Sequence, residues 1–114
     1  MADYKTGAVF LVDFDPSVGH EYKKIRPAVI VQSNKTIKNS SLITVMAITS
    51  QLTQVRKEDV SLKKTKANGL YADSIIKVGC IHSFDRKRFL KEIGVAPQET
   101  MAKLSTYLKD HFDI

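Results

Sequence analysis

The sequence predicts a mainly β fold, a small barrel with a C-terminal α-helix packed on it, and three observations support this prediction. Short runs rich in apolar and β-branched residues recur along the chain, and polar stretches containing Gly, Pro and Asn separate them. The final segment, from Pro97 to about Phe112, instead spaces its apolar residues as a helix does. No repeat or linker interrupts the chain, so we interpret residues 1–114 as a single domain.

The strands are inferred from apolar runs that end at turn-forming residues. They are predicted at Gly7–Asp15, Ala28–Gln32, Leu42–Ile48, Asp59–Leu62 and Ala72–Cys80, with a further short strand at Ile81–Phe84. Asp85 follows this short strand and is expected to cap a single turn through Phe89. Gly79 interrupts an apolar strand, which predicts a bulge or a close backbone approach there.

Two polar stretches connect the strands. Asn34–Ser41 is turn-rich, and we interpret it as a surface loop. Asn68 and Gly69 form a strong turn signal. Three lysines precede that turn and are expected to be solvated charges at a sheet edge: Lys63, Lys64 and Lys66.

The predicted helix carries an apolar stripe, which we interpret as core packing rather than as a cofactor site. The stripe consists of Met101, Leu104, Tyr107, Leu108 and Phe112. Pro97 suits the first turn of the helix, and Glu99 is favourable beside its N-terminal dipole.

Composition restricts the function. The formal net charge is +6 and the pI is near 9.5, which favours a polyanionic partner such as nucleic acid, an acidic protein or an anionic membrane surface. No apolar run is long enough to span a bilayer, and the N-terminus is too polar for a signal peptide, so we expect a cytoplasmic protein. One cysteine, Cys80, excludes an intrachain disulfide, and the three histidines lack metal-binding spacing. We therefore expect no metal and no cofactor.

The stretch from Val12 to Val31 is the first candidate site, because a Gly-containing loop rich in charged residues lies between two apolar strands. This loop holds an imidazole that titrates near neutral pH, His20, and several fixed cations. Pro27 opens the second strand and favours an extended conformation for Arg26. A guanidinium at that position offers a planar pair of donors to a phosphate or a carboxylate.

The same stretch, VDFDPSVGHEYKKIRPAVIV, resembles the signature of the MazF/PemK (Kid) toxins of type II toxin-antitoxin systems. Three later segments resemble the family in the correct order: VMAITSQ at Val45–Gln51, GLYADSII at Gly69–Ile76 and IHSFDRKR at Ile81–Arg88. The resemblance implies a small SH3-like β-barrel of the MazF/PemK/CcdB kind that forms a two-fold homodimer. It also implies a sequence-specific, metal-independent endoribonuclease that cleaves single-stranded RNA and is neutralised by a cognate antitoxin with an acidic tail.

The catalytic prediction rests on what RNA cleavage requires. When the 2′-hydroxyl attacks the adjacent phosphate, the products are a 2′,3′-cyclic phosphate and a 5′-hydroxyl, and the protein supplies a base, an acid and positive charge. Arg26 suits the positive charge. Thr49 is too weak an acid to act as an unaided base, so its expected role is to hydrogen-bond and orient the phosphate unless it merely caps the next turn. By resemblance, Thr49 accompanies Arg26 in the active site and His20 is the third catalytic residue.

Seven further residues are predicted to bind substrate. They are Glu21, Tyr22, Lys24, Ser50, Gln51, Lys77 and His82. Tyr22 is the expected platform for a stacked base, since single-stranded RNA is recognised on splayed bases. The chain departs from the family pattern at three of its positions. Gly79 stands where some members have an acidic residue, Lys77 where Kid-like members have Arg, and His82 where Arg is usual, so the general acid and base stay open.

Two other classes of function are compatible with a basic barrel. A CcdB-like toxin binds DNA gyrase without catalysis, and this hypothesis makes the C-terminal helix the working surface and leaves Arg26 idle. A non-catalytic RNA-binding barrel loses affinity gradually across many Lys and Arg substitutions rather than at one residue. The segments RPAVIV and AITSQ resemble the ribonuclease branch and favour catalysis.

Overall fold

The computed structural model describes residues 4–14 and 25–114, and within these ranges the chain forms one antiparallel sheet of six strands. The strands are β1 (Ala8–Asp13), β2 (Ile25–Ile30), β3 (Leu42–Thr49), β4 (Val60–Leu62), β5 (Ser74–Asp85) and β6 (Phe89–Val95). Their order across the sheet is β4-β5-β3-β2-β1-β6. Two α-helices, α1 (Asn34–Ile37) and α2 (Gln98–Phe112), and a 3₁₀ turn at Arg86–Arg88 complete the described part of the chain.

The sheet curls until the two ends of this strand order approach each other. The segment that follows β4 reaches β6, where the Val95 N–H donates to the Ala67 carbonyl at 2.8 Å. The close approach depends on Gly69, which adopts a φ of +70°, and a Cβ at this position would overlap the backbone of Ile93. Asn68 is buried beside it and holds the turn by accepting from the Leu70 N–H at 3.0 Å. The predicted mainly β barrel with a C-terminal helix is therefore confirmed.

Apolar side chains are buried on both faces of the sheet, because the strands alternate between two cores. The core beneath α2, which we call the helix-side core, contains Val9, Val29, Met46, Ile48, Ile76, Val78 and Leu104 among its members. The core on the other face, which we call the outer core, contains Ala8, Phe10, Val12, Ala28, Ile30, Ile43, Val45 and Phe89, with Ile37 of α1 against it.

Most of the predicted strands are present, and the differences have physical causes. The residues predicted as two strands, 72–80 and 81–84, form one long strand, β5, because it continues through an irregularity opposite β3. The ladder passes from Met46 opposite Ile81 to Ile48 opposite Ile76 at this point, so the predicted bulge around Gly79 is confirmed. A close approach there is not, since nothing lies within 4 Å of a Cβ built at Gly79.

Two further elements differ from the sequence interpretation. β6 was not predicted at all. The stretch at Asn34–Ser41, predicted as a loop, begins with the single helical turn α1, whose N-terminus is capped by Ser33. Asp85 caps the 3₁₀ turn by accepting from the Lys87 N–H at 3.0 Å, as predicted.

The C-terminal helix packs on the sheet as its stripe predicts. Leu104 is 1% exposed at the centre of the contact, and Met101, Tyr107 and Leu108 pack against the helix-side core. Phe112 was wrongly assigned to the packed stripe, because it lies in the last turn and is 57% exposed. None of the helices in the described part of the chain is long and apolar enough to cross a membrane.

Candidate active site

Sheet register brings three of the predicted site residues to one face of the sheet. Ala28 pairs with Ala47 at the end of the ladder between β2 and β3. Continued two residues beyond the ladder, the same register places Arg26 level with Thr49. Lys77 lies on β5, the next neighbour of β3, between two residues of the helix-side core. Because side chains alternate along a strand, Arg26, Thr49 and Lys77 all point to the opposite face from α2.

These side chains surround one pocket at the end of the outer core. Its volume is about 310 Å³, and its described lining consists of Arg26, Thr49, Gln51, Thr53, Gln54 and Lys77. Every one of these side chains is polar or charged, and two carry fixed positive charge. The turns near Ser50 to Arg56 were expected from the sequence to help select bases, but Thr53 and Gln54 were not predicted individually, because this polar stretch has no motif that distinguishes them. A pocket with this lining suits an anion that also needs hydrogen-bond donors.

Thr49 is the last residue of β3, and its hydroxyl group caps the turn that follows the strand. The Gln51 N–H donates to Thr49 Oγ1 at 3.1 Å, so the hydroxyl oxygen caps the turn after the strand. This bond uses an oxygen lone pair and leaves the hydroxyl proton available. Thr49 therefore caps the turn and also lines the pocket, where its hydroxyl proton is available for a hydrogen bond.

Arg26 lies at the beginning of β2 and is exposed. Pro27 follows it at the part of β2 that pairs with β1 alone, since the ladder with β3 begins at Ala28. The missing N–H of Pro27 is tolerated there, and the strand holds Arg26 extended, as predicted. The guanidinium has no hydrogen bond or ion pair with any other residue in the ranges 4–14 and 25–114, so its planar set of donors is available to a ligand.

Lys77 differs from Arg26 because its ammonium group is anchored. Lys77 Nζ donates to the Gln54 carbonyl at 2.8 Å and to Asp59 Oδ2 at 3.0 Å. The Asp59 side chain is 1% exposed, whereas that of Lys77 is 23% exposed and lines the pocket. Two protein acceptors thus fix the position of the ammonium group at the pocket wall.

The carboxylate of Asp59 is held by several donors. Burial acts to raise its pKa, but hydrogen bonds from two backbone N–H groups and from the Lys77 ammonium, together with the lysine charge, outweigh burial. The pKa of Asp59 therefore lies below its usual value, and the group is a carboxylate at neutral pH. The backbone donors are Arg56 N–H at 3.0 Å and Val78 N–H at 3.3 Å.

The remaining predicted residues have different positions. Ser50 is exposed beside the pocket, between two of its lining residues. The predictions for His20, Glu21, Tyr22 and Lys24 fall on residues 15–24, which lie outside the described part of the chain.

His82 is not among the described residues that line this pocket. Its ring stacks on Phe84 with centroids 5.5 Å apart and meets Phe14 edge to face at 5.4 Å. Its strand partner Val45 precedes Thr49 by four residues, which is roughly 13 Å along a strand. His82 therefore belongs to an aromatic patch with the half-buried Phe14 and Phe84 on the same face as the pocket, and this patch is separate from the described pocket lining.

The chemistry of the pocket is electrostatic. In the described lining, no carboxylate or imidazole is present to move a proton, whereas two cations and several hydroxyl and amide donors converge. The described residues also contain no group of three or more His, Cys, Asp or Glu arranged to hold a metal ion. The described lining has the charges and the hydrogen-bond donors that an anion requires, and it contains no group suited to move a proton.

A curled antiparallel sheet with a cationic pocket on one face and a C-terminal helix on the other defines a small barrel protein with a candidate anion-binding pocket. Its sequence matches the family described as PemK-like, MazF-like toxin of type II toxin-antitoxin system over residues 5–112, and the chain belongs to this family. The resemblance in the strand and loop motifs is thereby confirmed.

Individual relatives agree with this assignment. The chain is 32% identical over 115 residues to Endoribonuclease MazF9 of Mycobacterium tuberculosis (strain ATCC 25618 / H37Rv), and the match covers 96% of this chain and 97% of that protein. The fold is similar to the crystal structure of MazF from Deinococcus radiodurans, with a TM-score of 0.78, 21% identity, and coverage of 98% and 100% of the two chains. It is also similar to a MazE-MazF crystal structure from the same organism, with a TM-score of 0.79, 22% identity, and coverage of 98% and 99%.

Proposed function

We propose that this protein is a sequence-specific endoribonuclease toxin that cleaves single-stranded RNA without a metal ion. The observation that carries the proposal is the convergence of Arg26, Thr49 and Lys77 on one pocket. RNA contains its own nucleophile, the 2′-hydroxyl, so the protein needs to orient the phosphate, stabilise its extra negative charge and move two protons. Membership of the toxin family and the endoribonuclease name of a full-length relative support the same activity.

The proposed residue roles are supported by the arrangement of the pocket lining. Arg26 binds the nonbridging phosphate oxygens with its free guanidinium and stabilises the charge that develops on the phosphorane. Thr49 donates a hydrogen bond from its hydroxyl to the phosphate and orients it for in-line attack. Lys77 adds a second positive charge on the other side of β3, and Gln51 supplies a further amide donor.

We propose that the general acid and base come from the chain segment between β1 and β2. We propose His20 as the group that transfers a proton, since an imidazole titrates near neutral pH, and Glu21 as the alternative base. Lys77 is unsuited to the role of base because its ammonium donates to two protein acceptors. Tyr22, Lys24 and Ser50 contact the flanking nucleotides in this proposal, and His82 offers its aromatic patch to a more distant base.

The partners follow from the family. Structures similar in fold include an endoribonuclease in complex with its cognate antitoxin, and we propose that an acidic antitoxin also neutralises this chain. The net charge of +6 accelerates such an encounter. We further propose a homodimer that acts in the cytoplasm.

Cleavage of a long single-stranded RNA in excess EDTA tests the proposal. The wild-type protein is expected to cut at discrete sites and leave 2′,3′-cyclic phosphate and 5′-hydroxyl ends. Arg26→Ala is expected to lose about 10²–10³-fold or more of the rate, the cost of removing a group that stabilises the transition state. Thr49→Ala is expected to lose about tenfold or more, because one oriented hydrogen bond disappears.

The matched control is Lys109→Ala, which removes one exposed positive charge from α2, on the far side of the sheet. This variant is expected to cleave at the wild-type rate. If Arg26→Ala cleaves as fast as Lys109→Ala, the proposed site is wrong. If the wild-type protein cuts no RNA, or only in the presence of a divalent metal, the proposed reaction is wrong.

A second candidate function is gyrase binding of the CcdB type, and a groove along α2 favours it. This groove has a volume of about 560 Å³. Its described lining contains apolar residues, including Val31, Met101 and Leu108, and polar residues, none of which is charged. Such a surface suits a protein better than a phosphate backbone. The Arg26→Ala control separates the two functions, because a toxin that acts through α2 stays toxic without Arg26.

A further inference from the structure

The structure contains a buried carboxylate, Asp59, that touches the candidate active site without lining it. Asp59 lies at the end of the turn that follows Thr49, immediately before β4, and its side chain is 1% exposed. Asp59 is not among the described residues that line the candidate active-site pocket. No part of the RNA chemistry described above uses Asp59.

The hydrogen bonds of Asp59 connect two walls of the pocket. Oδ2 accepts from the Arg56 N–H at 3.0 Å and from Lys77 Nζ at 3.0 Å, whereas Oδ1 accepts from the Val78 N–H at 3.3 Å. The same ammonium group also donates to the Gln54 carbonyl at 2.8 Å. One carboxylate therefore ties the turn that carries Gln54 to the strand that carries Lys77.

This arrangement excludes a role for Asp59 as the missing base. Three donors already occupy its two oxygen atoms, and its side chain is almost fully buried. A general base needs an oxygen that reaches the substrate proton directly or through one water molecule. Asp59 therefore does not replace the acidic residue that some family members have where this chain has Gly79.

Lys77 itself needs such an anchor. A lysine side chain has four rotatable bonds, and an unanchored ammonium group at a pocket wall samples many positions and is strongly hydrated. Two fixed acceptors remove this freedom before a ligand arrives, and the third N–H of the ammonium group stays available to it. An arginine has a planar, rigid group and depends less on an external anchor.

We infer that Asp59 is a positioning residue, which holds the Lys77 ammonium group and the turn at Gln54 in place so that the pocket presents a second fixed cation to the phosphate of single-stranded RNA. The inference rests on the proposed function for its substrate. It assigns Asp59 no contact with RNA, and its effect on the reaction passes through Lys77.

A double-mutant cycle in excess EDTA tests this coupling by single-turnover cleavage. Lys77→Met is expected to slow the cleavage step about 10²-fold, since it removes one charge that stabilises the transition state. Asp59→Asn keeps the shape and an acceptor but loses the negative charge, and it is expected to slow the same step about 10-fold or more by displacing the cation. The double variant is expected to match Lys77→Met within about twofold, because in this inference the effect of Asp59 on the reaction passes through Lys77.

A purely structural role gives a different pattern. In that case Asp59→Asn lowers the rate by the same factor with or without Lys77, or it lowers only the melting temperature, and either result overturns the inference. Asp73→Asn is the matched control. Its carboxylate accepts a single backbone N–H, that of Lys64 at 2.9 Å, and it neither binds a side-chain cation among the described residues nor lines the described pocket. This control is expected to cleave at the wild-type rate.

A second measurement uses only the wild-type protein and does not depend on cleavage or on the stability of a variant. The reaction of each lysine with an amine-acylating reagent is followed by mass spectrometry, with and without a 2′-O-methyl RNA that cannot be cleaved. Lys77 is expected to react more slowly than the exposed Lys57, and RNA is expected to slow Lys77 further by about threefold or more. No protection of Lys77 by RNA overturns the inference.

The two proposals fail in distinguishable ways. If the wild-type protein cleaves, Arg26→Ala does not, and Asp59→Asn behaves as wild type, only the role of Asp59 is wrong. If the wild-type protein does not cleave, the proposed reaction is wrong, and binding of the 2′-O-methyl RNA decides the rest. If Asp59→Asn weakens RNA binding in the wild-type protein but not in Lys77→Met, the result supports the positioning role at an anion site. If it weakens binding by the same factor in both, the result overturns that role.

Discussion

Barrel closure at Gly69 offers the sharpest test of the fold, because a single methyl group is enough to oppose it. Gly69 has a φ of +70°, and a Cβ added there would overlap the carbonyl of Ile93, with the carbonyl carbon at 2.7 Å. The neighbouring contact is the hydrogen bond from the Val95 N–H to the Ala67 carbonyl, which joins the two ends of the curled sheet. Gly69→Ala is therefore expected to destabilise the protein by separating these two segments.

Two contributions set the magnitude. The left-handed conformation costs a residue with a side chain about 1–2 kcal/mol. Displacing the Ile93 backbone also weakens the hydrogen bond at Val95, which contributes about 1 kcal/mol. The sum is about 2–3 kcal/mol, or about 10 °C in melting temperature for a domain of this size. Thermal unfolding followed by circular dichroism measures this shift.

Gly79→Ala is the matched control, since the same methyl group is added at a site with room for it. Nothing lies within 4 Å of a Cβ built at Gly79, and its φ is not positive. This variant is expected to melt within about 4 °C of the wild type, because a glycine replaced without strain changes stability by less than about 1 kcal/mol. If Gly69→Ala melts as high as Gly79→Ala, the closure described here does not contribute to stability.

Two further predictions concern the buried carboxylate and the helix contact. Because the pKa of Asp59 is lower in the folded protein than in the unfolded chain, its stabilising effect is present above the unfolded value of about 4 and is lost as the pH falls through the folded value. In thermal melts from pH 7 to pH 2.5, Asp59→Asn is therefore expected to melt at a lower temperature than the wild type at neutral pH, and this difference is expected to narrow below about pH 4. A difference in melting temperature that stays the same at low pH would contradict this linkage. Leu104→Ala is expected to cost about 3 kcal/mol in chemical denaturation, because Leu104 is 1% exposed, whereas the terminal Phe112→Ala is expected to cost less than about 1 kcal/mol; equal costs would refute the assignment of the packed stripe.

The sequence predicts most of this architecture because the strands carry strong local signals. β-branched runs mark β1 and β3, and the capped turn at Asp85 and the stripe on α2 depend on neighbouring residues alone. β6 has no comparable signal. It is an edge strand paired only with β1, and charged residues and a glycine interrupt its apolar positions. Its existence depends on the backbone partners that the curled sheet provides, which are distant in sequence.

The candidate site shows the same division. The resemblance predicts Arg26 and Thr49 as site residues. The antiparallel register of β2 and β3 explains why Arg26, near the beginning of β2, and Thr49, at the end of β3, line the same pocket. The anchoring of Lys77 was not predictable, because Asp59 precedes it by 18 residues and no local pattern connects a turn carboxylate to a strand lysine. Ion pairs of this kind emerge only when the strands have a register.

The bulge in β5 explains how Lys77 and His82 both reach the face of the sheet away from α2. They are five residues apart, and in a regular strand an odd separation places side chains on opposite faces. Between the pairs that Ile76 and Ile81 make with β3, β5 advances five residues while β3 advances two, so β5 contains three additional residues. This odd number reverses the alternation and brings the His82 ring onto the same side as the Lys77 ammonium group. The length of the bulge, rather than any side chain at Gly79, therefore determines that the aromatic patch and the cationic pocket share one surface.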